Sequence, residues 1–145
     1  MEDYIEFDKL KTKVLKYALY KKRSEAEIRR KFAENSGEML DEVIENLKEN
    51  GYINDFLYIQ KTVDEFQRLK NLSIKELEKK LLSKGINKHD LEDYISQNKE
   101  DLLEYEINSA RNIFIKKQAT MEKEDVVLYL KKKGYLSESI TLAQD

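Results

Sequence analysis

The chain has 145 residues, of which 39% are charged and 40% apolar, and its net charge is −2. That length fits one domain or a short array of helical units, and four glycines with no proline are too few turn residues for an all-β fold. The absence of cysteine excludes disulfides, thiolate metal sites and cysteine nucleophiles. No apolar run approaches the roughly 18–20 residues that span a bilayer, and the acidic first residues are unlike a signal peptide. A cytoplasmic location, without membrane attachment, is therefore expected.

In chain order, apolar periodicity predicts nine helices. The first, over 9–22, carries Val14, Leu15, Ala18 and Leu19 as core candidates. The second, over 24–35, opens on Ser24-x-x-Glu27, a capping box in which hydroxyl and carboxylate satisfy orphan amides reciprocally; Ile28 and Phe32 share its inner face. Gly37 is the expected left-handed stop. The third helix, over 38–50, holds Leu40, Val43, Ile44 and Leu47 at helical spacing. Gly51 ends it, and Asn54 can cap the next helix. That fourth helix, over 55–71, carries Ile59, Val63 and Phe66. A fifth over 73–84 opens on a second box, Ser73-x-x-Glu76, with Leu77 and Leu81 inside and Gly85 as its stop. The sixth, over 88–97, holds Leu91, Tyr94 and Ile95. The seventh, over 100–117, carries Ile107, Ala110, Ile113 and Phe114. The eighth, over 122–133, carries Val126 and Leu130, with Thr120 as candidate cap and Gly134 as stop. A short ninth over 137–143, near Ile140, is expected to fray.

These nine elements form a repeat. Ser24–Phe32 aligns 49 residues later with Ser73–Leu81, and another 49 later with Glu122–Leu130. The pair Ile28/Phe32 becomes Leu77/Leu81 and then Val126/Leu130, while Glu27 becomes Glu76 and then Asp125. The fold expected is all-α, with three tandem three-helix repeats. They divide as residues 1–53 (an N-terminal extension and the first repeat), 54–98 and 99–145. Such small units depend on stacking against their neighbours.

Charge follows the repeat. Lys9–Lys31 has net charge +8, Glu34–Phe66 −7, Gln67–Lys88 +5, His89–Glu106 −6 and Ile107–Lys133 +4. A mixed helical surface would not segregate its signs in this way. The basic blocks therefore mark the candidate contact residues: Lys21, Lys22, Arg23, Arg29, Arg30 and Lys31; Arg68, Lys70, Lys79 and Lys80; and Lys131, Lys132 and Lys133. Their expected role is attraction to an acidic protein surface or to phosphate. Arg23 and Arg30 add the bidentate geometry that lysine lacks. Tyr17 and Tyr20, just before Lys21-Lys22-Arg23, are the aromatic candidates for stacking or anchoring.

Chemistry finds no comparable support. There is no phosphate loop, and no His/Asp/Glu cluster has metal-ligand spacing. The one histidine, His89, reads as a surface residue beside Asp90. Asp41, Glu42, Glu45 and Glu49 read as a solvated acidic face rather than a tuned acid–base pair. A non-enzymatic binding protein without cofactors is expected.

Four segments, in order, resemble the RecX family of recombinase regulators. They are Leu15-Lys-Tyr-Ala-Leu-Tyr-Lys-Lys-Arg-Ser-Glu-Ala-Glu-Ile-Arg-Arg-Lys-Phe32, Val43-Ile-Glu-Asn-Leu-Lys-Glu-Asn-Gly-Tyr-Ile-Asn-Asp-Phe-Leu-Tyr58, Lys75-Glu-Leu-Glu-Lys-Lys-Leu-Leu-Ser-Lys-Gly-Ile86 and Tyr129-Leu-Lys-Lys-Lys-Gly-Tyr135. The resemblance runs from about Leu10 to Ile140. It implies an elongated, curved array of three repeats that binds the RecA filament on single-stranded DNA and inhibits strand exchange, ATP hydrolysis and filament growth. It also implies a place in DNA recombination, repair and the SOS response, with the protein acting as a monomer. Some members of the family touch DNA directly, so single- or double-stranded DNA is a second candidate partner. A helical module that binds nucleic acid without RecA is the alternative reading. The chain departs from the family pattern at the acidic Val63-Asp-Glu-Phe66. It departs again at Leu128 and Tyr129, where the earlier copies hold Arg30/Lys31 and Lys79/Lys80. Both departures weigh against direct DNA contact at those helices.

Overall fold

The computed structural model describes residues 2–69 and 71–145. Among them are nine α-helices, one 3₁₀ turn and no strand. The helices are α1 (Glu2–Tyr20), α2 (Glu25–Lys31), α3 (Glu38–Glu49), α4 (Asp55–Leu69), α5 (Ile74–Ser83), α6 (Lys88–Gln97), α7 (Lys99–Lys117), α8 (Lys123–Lys132) and α9 (Ser137–Ala143), with the 3₁₀ turn at Ala33–Asn35. The chain separates into two compact units: residues 1–59 with 84–86, and residues 60–83 with 87–145.

The first unit is built on α1, α2 and α3. Leu10 and Val14 of α1, Ile28 of α2, Leu40, Val43, Ile44 and Leu47 of α3, and Ile53 beyond it form one buried cluster. The i, i+3, i+4, i+7 spacing on α3 makes this possible, because it places four apolar side chains on one face. Truncating one fully enclosed member, such as Leu47, removes about 2–5 kcal/mol of stability. The capping box of α2 forms as expected: Ser24 N donates to Glu27 Oε1 at 3.0 Å, and Glu27 N donates to Ser24 Oγ at 3.1 Å. The Ser24 hydroxyl then donates its own proton to the Lys84 carbonyl at 3.0 Å, and Glu25 N donates to Asp55 Oδ1 at 2.8 Å.

The second unit repeats this joint. Ser73 and Glu76 form the capping box of α5. Ser73 Oγ donates to the Lys133 carbonyl at 2.8 Å, and Ile74 N donates to Glu106 Oε2 at 2.7 Å. Both members of the Ser24–Lys84 bond recur 49 residues on. Gly85 and Gly134 complete the two joints. Their φ angles are +87° and +91°. A side chain on Gly85 would collide with the Ala26 Cβ, and one on Gly134 would crowd Lys75. Glycine is needed here for its conformation and for close approach. Ala110, Ile113, Val126, Leu130, Tyr135, Ile140 and Ala143 form the buried cluster of α7, α8 and α9.

Some expectations need correction. Gly37 is not a left-handed helix stop: its φ of 140° and ψ of −165° place it as the N-cap of α3. The 3₁₀ turn ends at Asn35, so the first α2–α3 connection is shorter than its counterparts around Gly85 and Gly134. Thr120 does not cap α8. The cap residue is Glu122, without a side-chain cap bond, while Thr120 Oγ1 turns back to the Lys117 carbonyl at 3.5 Å. Leu19 is 62% exposed rather than core. The first helix begins at Glu2 instead of residue 9. The ninth, expected to fray, forms over Ser137–Ala143 with Ile140 and Ala143 buried.

Candidate partner-binding surface

The basic residues predicted to make contact fall into two sets, one on each unit. In the first unit, Lys21 and Lys22 are exposed in the connection before α2, and Arg30 and Lys31 are exposed in its last turn. Cations in a last turn also complement the helix dipole. Arg23 is half-buried. Its guanidinium carbon lies 4.0 Å from the Tyr17 ring centroid, and its Nε is buried without a hydrogen-bond partner. Lys31 Nζ lies 5.8 Å from the same ring. Tyr17 in turn meets Phe32 edge-on, at 5.8 Å and 84°.

Arg29 has a different position from its neighbours. It bonds Asp41 at 2.6 Å and Glu25 at 3.0 Å. The Asp41 hydrogen bond is the main reason its guanidinium is held above its usual pKa, ahead of the opposing effect of burial. Lys48 closes the group on Glu25 at 3.1 Å. Burial alone would raise the Glu25 carboxyl, but the contacts from Arg29 and Lys48 outweigh it and hold it below the usual carboxylate range. Arg29 is thus engaged within the chain, and Asp41 of the acidic face is its partner.

In the second unit Arg68 and Lys79 are exposed, as are Lys131 and Lys132 in the last turn of α8. Lys80 Nζ lies 5.6 Å from the Phe66 ring. Lys133 Nζ lies 3.7 Å from Glu76 and 5.3 Å from the Tyr129 ring. Lys70 lies outside the described residues.

A pattern invisible in the charge count emerges. Tyr17 of α1 faces Lys31 of α2, and 49 residues on Phe66 of α4 faces Lys80 of α5. In the third set the roles are exchanged: the cation Lys117 comes from α7 and the aromatic Tyr129 from α8, at 4.4 Å. Tyr129 breaks the basic pattern of the sequence, yet it preserves a cation–aromatic contact between the first two helices of its set. Such contacts contribute about 0.5–2 kcal/mol each, so Arg23, Lys31 and Lys80 have a packing role besides any contact role. Tyr17 packs, whereas Tyr20 is 84% exposed. His89 is exposed, 3.6 Å from Asp93, as a surface histidine should be.

The fold has solved counterparts. The crystal structure of regulatory protein RecX superposes with a TM-score of 0.78 at 20% identity, over 96% of this chain and 73% of that one. RecX from Lactobacillus salivarius superposes with a TM-score of 0.78 at 21% identity, over 95% of this chain and 94% of that one. No family model and no curated protein matches the sequence. The chain therefore has the all-helical fold of RecX proteins along nearly its whole length. Among the described residues, no helix is long and apolar enough to cross a membrane.

Proposed function

We propose that this chain is a RecX-like regulatory protein that binds the RecA filament on single-stranded DNA and inhibits its recombinase and ATPase activity. The observation that carries this reading is the fold shared with two RecX structures from end to end. Four RecX-like segments in the right order support it. The three repeats at 1–53, 54–98 and 99–145 are the proposed architecture, and the recurring Ser–carbonyl joints favour it. The role is non-catalytic and cytoplasmic, with the protein acting as a monomer.

The contact residues follow from exposure. Lys21, Lys22, Arg30, Lys79, Lys131 and Lys132 are exposed cations of the basic blocks, and they supply long-range attraction to an acidic filament surface or to DNA phosphate. Arg29 is a weaker candidate because Glu25 and Asp41 already occupy its guanidinium. Co-sedimentation with RecA filaments on single-stranded DNA tests the reading. The wild type should pellet with filaments and stay in solution without them. Changing Lys22, Arg30 and Lys79 to Glu should weaken pelleting at least tenfold while helicity is unchanged. Equal pelleting with and without RecA would contradict the proposal.

A further inference from the structure

The outer face of α1 is a cation ladder distinct from the contact residues of the basic blocks. Lys9, Lys13, Lys16 and Tyr20 follow one another at intervals of four, three and four residues, so they share one helix face. All four are exposed, while Leu10 and Val14 on the other side are buried. Among the described residues, none of these lysines, nor Lys21 or Lys22, forms an ion pair. From Lys9 to Arg23 there are seven basic residues and no acidic one.

The fold itself does not demand this ladder. Forty-nine residues on, α4 carries Tyr58, Thr62 and Glu65 at the positions of Lys9, Lys13 and Lys16. The same helix is thus built without the lysines. A merely solubilising face would mix its signs, and it would not end on a tyrosine that is 84% exposed beside an exposed Leu19.

We propose that this face is a binding site for single-stranded nucleic acid, with the three lysines along the phosphate backbone and one base stacked on Tyr20. The lysines are spaced about 5–6 Å apart along the helix axis. A straight row of point charges suits a linear polyanion, whereas planar carboxylate clusters on a protein favour the fork of arginine. An exposed aromatic ring at the end of a basic track is the arrangement that takes an unpaired base. This site is independent of the filament reading, since it needs no RecA.

The test is fluorescence anisotropy of a labelled 20-nucleotide oligothymidylate with the full chain alone, over a series of salt concentrations. The wild type should bind. The variant Lys9→Glu/Lys13→Glu/Lys16→Glu should bind at least tenfold more weakly. Its plot of log affinity against log salt should be shallower by about 2, the value for three lost single-strand phosphate contacts. Tyr20→Ala should weaken binding about tenfold, and Tyr20→Phe should restore it. Circular dichroism checks that each variant is folded. Three results would each overturn the inference: no binding by the wild type, undiminished binding by the triple variant, or polyglutamate competing as well as the oligonucleotide. Equal affinity for a duplex of matched charge would overturn the single-strand assignment. Loss of RecA pelleting with oligonucleotide binding intact would instead sink the filament reading alone.

Discussion

Glu106 shows how much one side chain can hold. It is fully buried and accepts from two backbone amides, Ile74 N at 2.7 Å and Leu136 N at 2.9 Å. It therefore ties the starts of α5 and α9 to α7. Glu106→Ala leaves both amides buried and unpaired, and is expected to cost about 3 kcal/mol in a urea titration. Glu106→Gln keeps one good acceptor and should cost about half as much. Two further carboxylates make stability depend on pH. Burial would raise the Glu27 carboxyl, but the Ser24 amide, the Tyr58 hydroxyl and nearby Lys84 outweigh it, so it is lowered, as is Glu25. A lowered folded value means the stabilisation is complete above the unfolded value of about 4.3 and is lost as pH falls through the folded value. The urea midpoint should therefore drop on acidification below about pH 5, and a Glu25→Gln/Glu27→Gln variant should show a shallower drop. At the other extreme, burial pushes the Tyr94, Tyr105 and Tyr135 phenols up. Their contribution is present below about pH 10 and lost above it. In an ultraviolet titration these three of the nine tyrosines should ionise last, together with unfolding.

At the scale of elements, the joints carry the clearest consequence of the repeat. Gly51 and Gly85 share a positive φ, but nothing surrounds Gly51, whereas Gly85 abuts Ala26. Gly51→Ala should cost only the left-handed strain, about 1–2 kcal/mol. Gly85→Ala should cost that plus a clash of about 1–3 kcal/mol. Adding Ala26→Gly should recover part of the difference, read as a coupling in a double-mutant cycle. Most of the helical frame is legible in the sequence, because capping boxes, glycine stops and i, i+4 apolar pairs are local signals. Helices α6 and α9 match their expected spans to the residue. The joints are not legible. The acceptors of Ser24 and Ser73 lie 60 residues away in sequence, and no local rule separates Glu106 from the solvated acids around it. Gly37 misleads because it looks like Gly85 and Gly134, yet its connection is shorter. At the surface, net charge locates the basic blocks but does not distinguish Arg29, which is engaged by Asp41, from Arg30, which is exposed. The aromatic partners of Lys31 and Lys80 are equally hidden, since each lies 14 residues upstream on another helix.

For the whole molecule, identities of 20% and 21% are too low to carry residue roles across, while TM-scores of 0.78 establish the fold. Function then rests on what the surface offers: exposed cations on both units, and no catalytic constellation in the sequence. The most direct test is DNA-dependent ATP hydrolysis by the RecA of the same organism, titrated with this protein and with a Lys22→Glu/Arg30→Glu/Lys79→Glu variant. The account predicts inhibition by the wild type at concentrations below that of RecA, with inhibition largely lost in the folded variant. Undiminished hydrolysis at a stoichiometric excess of well-folded wild type would contradict it.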